Sequence, residues 1–195
     1  MMNPEFLKDN LSTDPTNFYF FERGFNQEEI EWISNLEKLF DYSQAVTIGN
    51  GLNEDVRKSR IKWIHDTNES GWVYNRIFEM IKEANEALWG FEIHGVNDSI
   101  QFTEYHGDGG HYDWHMDIGP GSINHRKVSV VVQLSDPEDY EGGDLLLWNG
   151  GEPKVAPKGK GNVIIFPSYL MHKVTPTFNG TRKSLVLWAG GGSFK

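Results

Sequence analysis

From Phe91 onward the chain is a succession of short β-rich runs punctuated by Gly, Pro and Asn. They read FEIHGV, SIQFTEY, HYDWHMD, KVSVVVQL, GDLLLW, NVIIFP, MHKVTP and KSLVLWA. Strands separated by turn signals at such intervals fold as a sandwich or a barrel. Aromatics at 13% and 21 glycines suit that class, the rings filling pleated surfaces and the glycines the turns. The earlier part reads differently. Residues 1–20 form an irregular arm with Pro4 and Pro15. Asn26 caps a helix from Gln27 to about Phe40, in which Ile30, Ile33, Leu36 and Phe40 recur at helical spacing, and Glu28 and Glu29 occupy its first turn. The segment RKSRIKWIH, residues 57–65, alternates around Ile61 and Trp63 and reads as a strand. Glu69 to Trp89 is a second helix with the stripe Trp72, Ile77, Met80, Ile81, Ala84 and Leu88, ended by Gly90.

An amphipathic helix needs a partner surface, and a sheet supplies it. The expected fold is therefore mainly β with flanking helices: a jelly-roll barrel with the N-terminal helices packed on one sheet. A single domain is expected over residues 1–195, with arm, helices and strands in 1–90 and the jelly-roll core in 91–195.

Composition removes several function classes. The chain has no cysteine, so neither a disulfide framework nor a thiolate metal site is available. Its net charge of −10 opposes sequence-independent nucleic-acid binding, which needs a basic footprint. MMNPEFLKDN lacks the apolar stretch of a signal peptide, and no window approaches a membrane span. A cytoplasmic protein with no membrane or nucleic-acid partner is the expectation.

The chemistry-bearing pattern is His115-Met116-Asp117, then His172, then Arg182. Side chains at i and i+2 of a strand share a face, so His115 and Asp117 can reach one ion while Met116 turns away into packing. Asp117 precedes Ile118-Gly119-Pro120-Gly121 and so ends its strand; His172 opens another. Two imidazoles and a carboxylate form the facial set that holds non-heme Fe(II) and leaves positions open, with zinc and manganese as substitutes. His65, His94, His106, His111 and His125 carry no such pattern. Arg182 follows Asn179-Gly180, a hairpin turn signal. An inward guanidinium must be paired, and a dicarboxylate gives it a bidentate partner. Lys183 is the alternative, because neighbours alternate in face and only one can serve.

Taken together, these segments resemble the Fe(II)/2-oxoglutarate dioxygenases, in the prolyl 4-hydroxylase branch. The resemblance covers about Tyr105 to Trp188, with a looser echo at RKSRIKW. Its motifs are YHGDGGHYDWHMD (105–117), EGGDL (141–145), HKVTPTFNGTR (172–182) and Trp188. It implies a double-stranded β-helix, cupin-like, with iron at His115, Asp117 and His172. It implies 2-oxoglutarate anchored by Arg182 with Tyr105 near its carboxylates, O2 as oxidant and ascorbate as reductant. Gln133 stands where some relatives carry a tyrosine, and arginine stands where some carry a lysine. Tyr112 and Trp188 are pocket-lining under this reading and core aromatics under the plain one. Arg57, Lys58, Arg60 and Lys62 form a basic cluster; Arg60 is read as its substrate-binding member, with a solvated strand edge as the alternative. The loops 49–56 and 118–125 are expected to cover the substrate. The implied activity is hydroxylation of a prolyl residue in a protein or peptide, as a procollagen-proline 4-dioxygenase does. The alternative is an oxygenase acting on a free amino acid or other small molecule.

Overall fold

The computed structural model describes residues 18–41, 43–44, 53–96 and 98–192. Strand β1 (Tyr19–Phe21) is followed by helix α1 (Gln27–Leu36), then β2 (Ser43–Gln44), β3 (Arg57–Lys58) and β4 (Arg60–Ile64). Helix α2 (Gly71–Leu88) leads into β5 (Gly95–Val96), β6 (Ile100–His115) and β7 (Arg126–Gln133). The remaining strands are β8 (Glu141–Gly142), β9 (Leu145–Trp148), β10 (Lys154–Val155), β11 (Val163–Pro167) and β12 (Met171–Gly190). Among the described residues they join into one twelve-stranded sheet whose main path is β1-β11-β7-β12-β6-β4-β2.

Period-two alternation in the central strands separates two apolar clusters. Val128, Val130, Val132, Val163, Ile165, Leu185 and Leu187 point to one face, where they meet Ile30, Ile33 and Leu36 of α1 and Ile77, Ile81 and Ala84 of α2. Val131, Ile164 and Phe166 point to the other and meet Tyr105, Leu145, Leu147, Leu170 and Val174. Strand β7 is buried throughout, as a strand covered on both faces should be. Ile77 and Ile81 are fully buried, each contributing about 1.5–3 kcal/mol relative to exposure. The helices thus press one face of the sheet and leave the opposite face to form a lined cavity.

The helix ends obey local chemistry. Asn26 Oδ1 accepts from the Glu29 backbone N–H at 3.0 Å, and the Asn26 N–H donates to Glu29 Oε2 at 2.8 Å, a reciprocal capping box. Helix α1 gives way at Glu37 to a 3-10 turn, short of Phe40. Helix α2 starts at Gly71, two residues later than expected. Gly90, at φ +63, closes it by donating to Asn85 O at 2.7 Å.

Four expectations need correction. Tyr19–Phe21 is not irregular but pairs antiparallel with β11; residues 1–17 lie outside the described residues. Only Gly95–Val96 of FEIHGV is strand. SIQFTEY and HYDWHMD are one continuous strand, β6, and MHKVTP and KSLVLWA are another, β12. Asn179-Gly180 therefore makes no hairpin. Both have positive φ, 49° and 65°, and the β6–β12 register jumps there from Phe178↔Asp108 to Thr181↔His106. The pair forms a bulge that bends β12 without ending it. It presses on Gly107, where a Cβ would sit 2.7 Å from Asn179 N.

Candidate functional site

The bent strands β6 and β12, with β3 and the loop after β6, wall a cavity of about 580 Å³. His115 is the last residue of β6, and His172 pairs with it across the ladder. Asp117 lies just beyond β6, fixed by its N–H donating to Ser168 O at 2.9 Å. Both imidazoles are oriented through Nδ1: His115 to Asp113 O at 2.7 Å, and His172 to Leu170 O at 2.9 Å. That leaves each Nε2 facing the carboxylate, 3.7 Å from Asp117 Oδ1 for His115 and 3.4 Å from Oδ2 for His172. Donor atoms of all three lie within 4.8 Å of one another. Ligand bonds of about 2.0–2.2 Å bring such donors onto one ion with slight closure, and carbonyl-anchored histidines are the usual support for it. The set fits a divalent, borderline-soft metal such as Fe(II).

Protonation also favours ligation. Burial pushes the His115 imidazole down, His172 adds to this, and Asp117 only partly opposes it, so His115 is neutral at pH 7, as a ligand must be. Burial pushes the Asp117 carboxyl up, but His172, His115 and the hydrogen bond from Ser129 outweigh it and hold Asp117 ionised. Ser129 Oγ donates to Asp117 Oδ2 at 2.7 Å and lies 3.0 Å from Ser168 Oγ. Tyr112 stacks on His115 with ring centroids 3.4 Å apart; burial raises its hydroxyl to about 12 despite Arg57 beside it.

Deeper on the same wall is Arg182, 1% exposed and the largest fully buried side chain among the described residues. It donates to Gln133 Oε1 at 2.9 Å and, more weakly, to Ser184 Oγ at 3.4 Å, while its Nε has no partner. Its guanidinium lies 5.3 Å from the centre of the Tyr105 ring. No carboxylate among the described residues pairs with it. A buried guanidinium with only neutral partners is costly, and an anion in the cavity would relieve that cost. Gly143, at φ +60, makes room: a Cβ there would lie 3.0 Å from Arg182 Cδ. Lys183 points to the opposite face, where Nζ pairs with Glu104 at 3.2 Å.

The structure thus gathers His115, Asp117, His172, Arg182, Tyr105, Tyr112 and Trp188 around one cavity. Gln133 stands behind Arg182 rather than at the cavity surface. Arg60 is exposed and does not line the cavity; Arg57 does. The strand breaks at Ser59 between β3 and β4, so alternation does not carry across it. Met116 is 49% exposed at the cavity mouth rather than packed. Ile118, Gly119, Pro120 and Ile123 of the 118–125 loop line the mouth, whereas residues 49–52 of the other loop lie outside the described residues. Sequence reasoning missed Ser129 and Arg126. A serine inside the run KVSVVVQL was the available signal, because a buried hydroxyl requires a partner.

Residues 100–190 match the family model of the 2OG-Fe(II) oxygenase superfamily. The matched stretch is just under half of the chain. The protein is 42% identical over 79 residues to a PKHD-type hydroxylase of Synechococcus sp. (strain CC9605), covering 40% of this chain and 35% of that one. It is 30% identical over 125 residues to a PKHD-type hydroxylase of Gloeothece citriformis (strain PCC 7424), covering 62% and 56%. The similarity thus spans about a third to a half of these relatives' length. In fold the chain is close to a prolyl hydroxylase of Trichoplax adhaerens in complex with a hypoxia inducible factor peptide fragment. The TM-score is 0.76 at 19% identity, covering 97% of this chain and 94% of that one. A prolyl-4-hydroxylase of Pseudomonas putida gives 0.73 at 18%, covering 96% and 98%. The fold is the jelly-roll double-stranded β-helix of these neighbours, with two helices on one sheet.

Proposed function

We propose that this protein is an Fe(II)- and 2-oxoglutarate-dependent dioxygenase that hydroxylates a prolyl residue in a protein or peptide. The observation that carries the co-substrate assignment is Arg182, a buried guanidinium without an acidic partner, on the same cavity wall as the histidine–carboxylate set. The likeness to PKHD-type hydroxylases and to the prolyl hydroxylase folds supports the substrate assignment.

Bound iron, with O2 and 2-oxoglutarate, supplies an oxidation in which the co-substrate becomes succinate and carbon dioxide and one oxygen atom enters a substrate C–H bond. The protein supplies position and shielding. His115, Asp117 and His172 would hold the metal, and a three-residue set of this kind leaves coordination positions for ligands. Ser129 holds the Asp117 carboxylate in place. Arg182 takes the distal carboxylate as a charge-assisted pair, and Gln133 aims its guanidinium. Val131, Leu145, Val174 and Val186 make the cavity wall apolar and exclude water. No side chain need act as acid or base, and ascorbate would serve as the reductant.

The test is succinate release from 2-oxoglutarate with iron, ascorbate and a panel of proline-containing peptides, free proline and free lysine. A peptide gaining the mass of one oxygen at proline is the expected result. Oxygen entering only a free amino acid would replace the peptide substrate by a small molecule. No succinate in any arm would overturn the dioxygenase reading.

A further inference from the structure

The cavity holds a second buried arginine that neither the metal set nor the co-substrate anchor uses. Arg57 is 8% exposed and lines the cavity near His115. Its guanidinium lies 4.5 Å from the centre of the Tyr112 ring, the ring that stacks on His115. Its Nε donates to Ser59 Oγ at 2.9 Å and its Nη2 to Gln101 Oε1 at 2.7 Å. Both partners are neutral, and no carboxylate among the described residues pairs with it. Gln101 Oε1 also accepts from Thr103 Oγ1 at 3.2 Å, so the acceptor that aims Arg57 is itself fixed. Arg57 and Arg182 share no partner: the latter is held by Gln133 and Ser184.

Counting charge around the cavity separates the three arginines that line it. Arg126 is neutralised by Asp98, Nε to Oδ2 at 2.8 Å. Asp117 offsets one charge of a divalent metal, and the two carboxylates of 2-oxoglutarate offset the other metal charge and Arg182. Arg57 is left over. A buried, preorganised guanidinium with no counter-charge is a receptor for a carboxylate. It cannot serve a wholly neutral substrate without carrying its desolvation cost through the reaction.

We propose that Arg57 is a specificity residue that binds a carboxylate of the substrate, presented close to the residue being hydroxylated. This rests on the hydroxylase reading above and narrows its substrate class. The carboxylate can come from an acidic side chain within the polypeptide or from the polypeptide's own C-terminus. Gln101 and Ser59 position the guanidinium, and Tyr112 provides the flat surface on which it lies. The exposed rim residues Trp63 and Met116 offer apolar contact to the flanking residues of the substrate.

The experiment measures binding rather than turnover, so its outcome is separable from the activity assay. The full-length protein, loaded with Fe(II) and 2-oxoglutarate without oxygen, is titrated with fluorescently labelled proline-containing peptides, read by anisotropy. One arm scans aspartate through the positions flanking proline against asparagine at the same place, with amidated C-termini. A second arm compares a free C-terminal carboxylate two or three residues after proline with its amide. Wild type is expected to prefer the acid over the amide form at least tenfold in one arm, and the arm that responds identifies the source. Arg57→Gln is expected to reduce that preference to within twofold, and Arg57→Lys to restore part of it. Equal binding of acid and amide forms in both arms overturns the proposal. So does a preference that survives in Arg57→Gln. Unchanged 2-oxoglutarate affinity in Arg57→Gln is required as well, and a parallel loss would reassign Arg57 to the co-substrate. If the activity assay finds only small-molecule hydroxylation, the hydroxylase substrate reading falls. The acid–amide comparison still decides whether Arg57 recognises carboxylate.

Discussion

Replacing Arg182 by methionine separates what this arginine costs the empty protein from what it gives the loaded one. Arg182 is 1% exposed and has two neutral acceptors, Gln133 Oε1 and Ser184 Oγ. Substituting an apolar side chain of similar length removes an unpaired buried charge, a change worth about 1–4 kcal/mol in favour of the variant. It also strands two acceptors, at about 1–3 kcal/mol each. These terms nearly cancel, so the ligand-free variant should fold with a Tm within a few degrees of wild type. The loaded protein behaves differently. Losing one partner of a buried charge pair costs about 2–5 kcal/mol of binding, a weakening of roughly thirtyfold or more. With 2-oxoglutarate at a hundred times the wild-type Kd, wild type gains about 2.7 kcal/mol, or about 5–10 °C in Tm for a protein of this size. At the same concentration Arg182→Met should retain under about 1 kcal/mol, hence about 2–4 °C or less. The assay is thermal unfolding of metal-loaded protein with and without 2-oxoglutarate, with Lys183→Met as control because Lys183 faces the other way, toward Glu104. A wild-type ligand shift in Arg182→Met, or a lost shift in Lys183→Met, would refute the assignment.

Three further outcomes follow from the geometry. Asp117→Ala and His172→Ala should fold yet retain no stoichiometric iron after desalting, as read by metal analysis; full retention in either would remove that residue from the ligand set. Gly143→Ala places a Cβ 2.9 Å from Thr177 Oγ1 and 3.0 Å from Arg182 Cδ at φ +60. It should lose roughly 1–2 kcal/mol from the backbone alone, and raise the half-saturating 2-oxoglutarate concentration; wild-type values in both denaturant unfolding and turnover would count against the tight seat. In metal-free protein, His115 is held neutral by burial while the unfolded state titrates near its usual value of about 6.5. The unfolded state then binds more protons, so stability should fall as pH drops below about 6.5. Asp117, held ionised in the fold, should add to the loss below about pH 4. Chemical denaturation at a series of pH values measures this, and a flat or rising profile toward acid would contradict it.

Much of the site was legible because it is written along strands. His115 and His172 end and open strands as their flanking runs imply, and strand parity meant that only one of Arg182 and Lys183 could face the cavity, which Arg182 does. The runs KVSVVVQL and NVIIFP, read as strands, are β7 and β11. What failed was whatever depends on backbone curvature. Asn179-Gly180 carries the chemistry of a turn, but pairing with β6 on both sides of it overrides local preference and leaves a bulge. Ser59 resets the phase of the basic segment, which put Arg57 rather than Arg60 into the cavity. Tyr19–Phe21 became a strand only because β11 offers a free edge far along the sequence. Such tertiary pairings leave no local periodicity to read.

The two bent strands that carry the site also set when it can exist during folding. His115 meets His172, and Tyr105 meets Arg182, only across the β6–β12 ladder, between segments separated by the whole stretch from β7 to β11. Loop closure of that length is among the slow events of folding. A nascent or partly folded polypeptide therefore presents His115, Asp117 and His172 singly, and under the proposed function metal uptake would report completed topology.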